Sequence, residues 1–259
     1  MSWTEQAGRW MRRLLSGAES LLASRMEPCV ACGAANDGTR KLPVCRRCWE
    51  AIPWIHEVRC AKCGRYEACP DCPRRTDTYY DQNRSAVRYD ERMKEWLGQY
   101  KYRGQESLRS VLGPMLLHAY HLHRQGPSDG VDFGKPASEF ISYVPLSEQR
   151  YAERGFNQAE QLASELGRLT GLPVFPLLLR TRHTDKQSFK GRMERLDDLQ
   201  GVFALEPGAA SQVAAACRQG RVRVYLIDDV YTTGSTLNEC SRAIKTILPL
   251  EVCGISWAR

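Results

Sequence analysis

Apolar residues recur at helical spacing at the start of the chain. Trp3, Ala7, Trp10, Met11, Leu14, Leu15, Ala18, Leu21 and Leu22 share one face, with Glu5, Arg9, Arg12, Arg13 and Glu19 between them. This period predicts an amphipathic helix within residues 1–26. Such a helix docks on its own domain, or lies peripherally on a membrane surface or against a partner helix. The two early tryptophans keep the second reading open. Residues 27–76 break the pattern, with few aliphatic residues and many Gly, Pro, Arg and Lys. A segment of that kind cannot build a core alone and needs a staple. Beyond it, Ser85 to Tyr89 reads as a short strand followed by two helices. The second helix sets Leu108, Val111, Leu112, Met115, Leu116 and Tyr120 on one face. Residues 126–138 read as an exposed connection.

From residue 139 the rhythm becomes strand–helix alternation. Strands are predicted at Phe140 to Val144, Val174 to Leu179, Val202 to Leu205, Val222 to Ile227 and Val252 to Trp257. Helices are predicted at Gln158 to Leu169, 209–218 and Thr236 to Leu248. The alternation predicts an α/β fold with a parallel sheet covered by helices. The expected organisation is an N-terminal helix (1–26), a cysteine-rich module (27–76) and an α/β domain (77–259). A length of 259 residues accommodates one such domain and a small appendage.

Composition changes this picture mainly by exclusion. Hydrophobic content of 42% and charged content of 26% exclude collagen and wholesale disorder. No run approaches about eighteen apolar residues, so no bilayer-spanning helix is expected. The first 26 residues lack a signal peptide's apolar core. A reducing cytoplasm is therefore expected, where cysteines bind metal rather than form disulfides.

Eight of the 11 cysteines form four Cys-x2-Cys pairs: Cys29 and Cys32, Cys45 and Cys48, Cys60 and Cys63, Cys69 and Cys72. A two-residue gap lets both thiolates of a pair reach one ion from a tight turn. Two pairs complete a tetrahedral sulfur shell with no open position, the coordination of structural zinc. Two structural Zn²⁺ ions are expected; disulfides or reactive thiols are the alternatives. Sequential pairing is simplest, and spacing alone leaves a crossed pairing open. Arg46, Arg47, Arg59, Lys62, Arg65, Arg74 and Arg75 stand around the pairs, with Trp49, Trp54 and Tyr66 interleaved. Cations with stackable rings suit single-stranded nucleic acid; a solvated face over packed aromatics is the alternative. The net charge of +7 adds little. Eight thiolates and two dications would reduce it to about +3.

Residues 224–236 run from a buried strand into Asp228 and Asp229, then through Thr232, Thr233, Gly234, Ser235 and Thr236 to a helix. A hydroxyl-rich loop at a helix N-terminus is an anion cradle. Two carboxylates beside it suit the vicinal hydroxyls of a ribose, at the strand end where α/β sheets bind ligands.

This segment resembles the phosphoribosyl pyrophosphate (PRPP) motif of type I phosphoribosyltransferases. The resemblance implies that Asp228 and Asp229 hold the ribose hydroxyls, that Thr232 to Thr236 hold the 5′-phosphate, and that Mg²⁺ enters with PRPP. Three further segments are similar to the ComF family of competence proteins. These are Val144-Pro145-Leu146 with Arg154-Gly155-Phe156-Asn157-Gln158-Ala159, the Lys101-Tyr102-Arg103-Gly104 segment, and Arg180-x-Arg182-x-Thr184-x-x-Gln187 with Arg195 and Gly201-x-Phe203. An N-terminal double zinc ribbon before such a domain also looks like this family. The resemblance covers roughly residues 27–259. It implies a type I phosphoribosyltransferase fold, with Val144, Pro145 and Arg154 on the pyrophosphate side. The 180–195 loop would then be a mobile lid carrying Arg182 and Lys186 as catalytic cations; a disordered surface loop is the alternative. Asp198 departs from the pattern, which calls for Asn there. A hypoxanthine-type purine transferase would place an Asp base where Thr232 stands, so the acceptor is not fixed.

Three functions follow from the resemblance. One is a ComF-like protein assisting natural transformation, meeting single-stranded DNA and a DNA-uptake helicase. Another is a phosphoribosyltransferase with an unassigned acceptor. The last is a PRPP-sensing scaffold without turnover.

Overall fold

The computed structural model describes residues 27–75, 77–102, 104–125, 136–181 and 201–259. The predicted N-terminal helix, and Arg103, Arg182, Thr184, Lys186, Gln187, Arg195 and Asp198, lie outside these residues. The chain divides after Glu50 into two units.

The first unit holds Cys29, Cys32, Cys45 and Cys48, with Cys45 just before and Cys48 within the short helix α1 (Arg46–Glu50). The turn after Cys29 closes through Gly33, whose N–H donates to the Cys29 carbonyl at 2.8 Å.

The second unit contains the other cysteine cluster and a parallel four-stranded sheet flanked by helices. Its strands are β1 (Gln82–Val87), β2 (Ser138–Tyr143), β5 (Val222–Val230) and β6 (Glu251–Ala258), in the order β1-β6-β5-β2. A two-stranded antiparallel ribbon, β3 (Leu178–Arg180) with β4 (Phe203–Leu205), stands apart. The helices are α2 (Glu91–Tyr102), α3 (Arg109–Arg124), α4 (Glu148–Arg154), α5 (Gln158–Thr170), α6 (Pro207–Cys217) and α7 (Ser235–Lys245).

Strand alternation sorts the core. Val222, Val224 and Leu226 of β5 join Leu237, Cys240 and Ile244 of α7 in one apolar cluster. Tyr225, between them, turns to the other face, where its ring meets Tyr120 and His123 of α3 at 5.2 and 5.6 Å. Successive side chains on a strand point to opposite faces, so one run serves two layers.

Two expectations are corrected. The predicted strand at Ser85 to Tyr89 begins three residues earlier, because Gln82, Asn83 and Arg84 are buried despite their polarity. Asn83 and Arg84 find partners in the second cysteine cluster. The Asn83 amide donates to the Cys63 carbonyl (3.3 Å), and Arg84 donates to the Ala61 carbonyl (2.8 Å) and Gln82 Oε1 (2.8 Å). The knuckle thereby covers the open edge of β1, which would otherwise present unpaired backbone groups. The strand predicted over Val174 to Leu179 is split instead. Val174 makes one parallel bridge to Ile141, and only Leu178–Arg180 form the ribbon.

Candidate functional site

The structure groups the eight paired cysteines sequentially, as two sets of four whose sulfurs all lie within 4.8 Å of one another. The crossed pairing is thereby excluded. Cys32 and Cys45 sulfurs are 3.7 Å apart, and Cys63 and Cys69 sulfurs 3.6 Å. Four sulfurs held about 2.3 Å from one ion sit about 3.8 Å from each other, so the geometry fits tetrahedral metal. The bare thiols are uneven. Burial opposes ionisation at Cys29 and Cys69, but converging backbone N–H groups outweigh it and bring them down to about 7 and about 6. Burial and neighbouring thiols push Cys48 and Cys72 up. A central dication favours all four thiolates together.

The second site forms at the carboxyl end of β5. Asp228 and Asp229 are the seventh and eighth residues of that strand, not part of the loop beyond it. The pleat sends them apart. Asp228 lines a small cavity with Leu226, Asn83, Ser256 and the loop Tyr231–Thr236. Asp229 pairs with Lys101 Nζ at the end of α2. Asp228 keeps some surface open to solvent, yet the protein around its carboxyl pushes it up to about 7. The charge of Asp229 adds to that push, while the Asp229 N–H (2.8 Å from Asp228 Oδ1) and Lys101 oppose it.

The loop owes its shape to Gly234, the residue before α7, whose φ is +76°. A side chain there would also collide with Tyr231, since a Cβ would lie 2.3 Å from the tyrosine oxygen. Gly234 supplies no side-chain acceptor to the first turn of α7. At the start of α5, by contrast, Asn157 accepts the Ala159 N–H at 3.0 Å. The hydroxyls of Thr233 and Ser235 lie 2.7 Å apart beside the α7 terminus. A helix start with spare N–H groups, hydroxyls around it and Asp228 opposite can take a phosphorylated polyol.

The Arg154 segment is a junction between two helices. Arg154 ends α4, and Gly155 takes the left-handed conformation there. Phe156 packs on Tyr100 at 5.3 Å, and Asn157 starts α5 while donating to the Val144 carbonyl at 3.1 Å. Buried Gln158 accepts from Arg154 at 2.6 Å. Val144 in turn donates to the Ile227 carbonyl at 3.0 Å, one residue before Asp228. Pro145 follows it.

Lys101 is the residue that sequence reasoning did not place at the site, although it lies in a segment singled out there. Adjacent residues of α2 reach two blocks: Lys101 meets Asp229, and the Tyr102 hydroxyl accepts from Arg154 at 2.7 Å with the guanidinium 4.8 Å from the ring centre. Arg180, at the root of residues 182–200, lies over the Phe203 ring at 5.6 Å.

The knuckle cations are partly spent on internal partners. Arg65 pairs with Asp71 at 2.9 Å, Arg75 donates to the Tyr80 hydroxyl at 3.2 Å, and Lys62 lies 5.3 Å from the Tyr80 ring centre. Arg46 and Arg59 pair with Glu50 and Glu57 at exposed positions, where such contacts are weak and readily exchanged. Among the described residues no helix is long and apolar enough to cross a membrane.

No family model matches the chain. Curated relatives do. Competence protein ComFC of Bacillus subtilis is 31% identical over 211 residues, covering 78% of this chain and 77% of the relative. Competence protein ComFC of Streptococcus pneumoniae is 26% identical over 256 residues, covering 97% of each. DNA utilization protein YhgH of Escherichia coli is 28% identical over 218 residues, covering 83% of each.

Proposed function

This chain belongs to the ComF family of competence proteins, and from that premise we propose that it binds Mg-PRPP at the β5–α7 loop in the service of DNA uptake. The observation that carries the reading is the cavity in which Asp228 faces the Thr232–Thr236 loop at an uncapped helix start. In this reading the loop N–H groups and hydroxyls hold the 5′-phosphate, and Asp228 accepts from a ribose hydroxyl. Asp229, on Lys101, sets the charge beside it. Arg154, with Val144 and Pro145 along the neighbouring strand end, faces the pyrophosphate. Magnesium carried by the pyrophosphate neutralises its charge. Arg182 and Lys186 supply further cations, and the two cysteine clusters hold structural Zn²⁺. Relatives named for competence and for DNA utilization support a role in DNA uptake; single-stranded DNA and a DNA-uptake helicase are the partners this reading proposes.

Calorimetric titration of the full chain with Mg-PRPP tests the reading. One saturable site, lost in the Asp228→Asn/Asp229→Asn double variant, is expected. Absence of binding at millimolar ligand overturns it. Pyrophosphate release over a panel of bases and amines, measured in the same samples, separates the two remaining functions. Release that the double variant loses identifies a transferase; tight binding without release identifies a sensor.

A further inference from the structure

The second cysteine cluster and the anion loop share a wall. The Cys63 carbonyl accepts from the Asn83 amide at 3.3 Å and also from Arg259 Nη1. Asn83 lines the cavity with Asp228. The Arg259 guanidinium lies 4.9 Å from the centre of the Tyr231 ring. From the far end of the cluster, Cys72 opens a short 3-10 turn, and Arg75 just after it donates to the Tyr80 hydroxyl at 3.2 Å. That hydroxyl is 2.7 Å from the hydroxyl of Tyr231. Both rings are buried, Tyr80 at 0% and Tyr231 at 6% exposure. Two routes from the cluster therefore converge on one tyrosine, and that tyrosine fills the space beside Gly234.

We propose that Tyr231 is the positioning residue through which the Cys60–Cys63–Cys69–Cys72 cluster fixes the shape of the anion loop, so that metal in the cluster and PRPP in the loop stabilise each other. The inference rests on the reading of this loop as the PRPP site. Its physical basis is that the routes are short and run through half-buried arginines to buried tyrosines. Without an ion no bond ties the four sulfurs to one point. Opening them displaces the Cys63 carbonyl and the Cys72 turn together. That displacement breaks the bonds of the Cys63 carbonyl to Asn83 and Arg259 and pulls on the buried hydroxyl pair of Tyr80 and Tyr231, which is costly. A ligand seated on the loop resists that displacement. Coupling between two binding sites is reciprocal, so the ligand must tighten the metal by the factor by which metal tightens the ligand.

The test uses the full zinc-loaded chain, challenged with a chelator and then alkylated, with the labelled cysteines identified by peptide mass. Mg-PRPP should slow labelling of Cys60, Cys63, Cys69 and Cys72 about fivefold or more. Labelling of Cys29, Cys32, Cys45 and Cys48 should be unchanged. Tyr231→Phe keeps the ring beneath Arg259 and loses the hydroxyl pair with Tyr80; in the zinc-loaded chain it should bind Mg-PRPP more weakly by calorimetry and lose a measurable part of the protection. A purely structural tyrosine would speed labelling of the variant but leave the protection factor intact, and that result overturns the proposal. Wild-type binding of Mg-PRPP without protection also overturns it, leaving the site reading standing. Absence of Mg-PRPP binding to the wild type removes the site reading and the coupling with it.

Discussion

Lys101 and Asp229 form an ion pair that joins the end of α2 to the end of β5, beside the carboxyl of Asp228, which has no ion-pair partner among the described residues. Asp228 is pushed up to about 7 by burial and by Asp229, and Lys101 is among the groups holding it down. An ionised carboxylate accepts from a ribose hydroxyl more strongly than a protonated one. Affinity for Mg-PRPP should therefore fall as pH drops below about 7 and level off above it. Lys101→Met removes a downward pull, so the midpoint of that profile should move to higher pH. Calorimetry between about pH 5.5 and 8.5, corrected for the ligand's own titration, reads the midpoint. A midpoint that stays in place contradicts the assignment.

The same shift predicts a cost to stability. Asp228 binds its proton more tightly folded than unfolded. Below about pH 4 both states are protonated and the group contributes nothing. As pH rises from there to about 7 the unfolded state loses the proton first, so stability falls, and the loss is complete above that range. Asp228→Asn should therefore raise stability at pH 8 by about 2 kcal/mol, discounted for the residual exposure of the carboxyl, and change little at pH 4.5. Urea unfolding at the two pH values measures the difference. Equal effects at both would show that the carboxyl carries no such penalty.

The cysteine clusters should differ in what they support. Cys63 lies in the unit that contains the sheet, and its carbonyl anchors Asn83 and Arg259. Cys32 lies in the other unit. Metal analysis of the wild type should give two zinc ions per chain, and Cys32→Ser and Cys63→Ser should each lose one. Only Cys63→Ser should lower the main thermal transition followed by far-ultraviolet circular dichroism, because the sheet and six of the seven described α-helices lie in its unit. Equal shifts in both variants would contradict the division.

Much of this was legible in the sequence because the governing signals are local. The Cys-x2-Cys spacing brings two sulfurs to one point within a turn, and the run from Val224 to Ser235 sets strand, carboxylates, glycine and helix start in fixed succession. The long strands and helices follow their periods closely, α5 to within one residue of Leu169. The rest depends on contacts distant in sequence. Gln82, Asn83 and Arg84 fall outside the expected strand because they are polar, and the carbonyl partners of Asn83 and Arg84 lie some twenty residues earlier, around Cys63. Helix α4 has too short an apolar face to show a period; its signals are Ser147, which accepts the Arg150 N–H, and Gly155 at its end. Lys101 could be recognised in its segment, but nothing local says that it meets Asp229.

Asn157 shows a motif residue working by architecture. Its side chain caps α5 through the Ala159 N–H and holds the Val144 carbonyl, both in a buried setting. Asn157→Ala should cost about 2 kcal/mol or more, since a cap is lost and a buried carbonyl is left without a donor. Asn157→Asp keeps the cap but not the donor, and should recover about half of the loss. Chemical denaturation ranks the three proteins. A neutral Asn157→Ala would assign the residue to ligand contact alone.

Gly234 separates backbone strain from collision. Both Gly234 (φ +76°) and Gly171 (φ +74°) take the left-handed conformation, but a Cβ at Gly171 meets nothing within 4 Å, whereas one at Gly234 meets Tyr231. Gly171→Ala should therefore cost only the conformational penalty, about 1 kcal/mol. Gly234→Ala carries that penalty and must also push the Tyr231 ring off the Tyr80 hydroxyl, for a total of about 3 kcal/mol. Shortening the obstacle relieves the collision, so Tyr231→Ala in the Gly234→Ala background should destabilise by less than the two single variants summed. That non-additivity, read from a double-mutant cycle in urea, is the signature of direct contact. Strict additivity would place the two residues out of contact and remove the steric account of why the loop needs a glycine there.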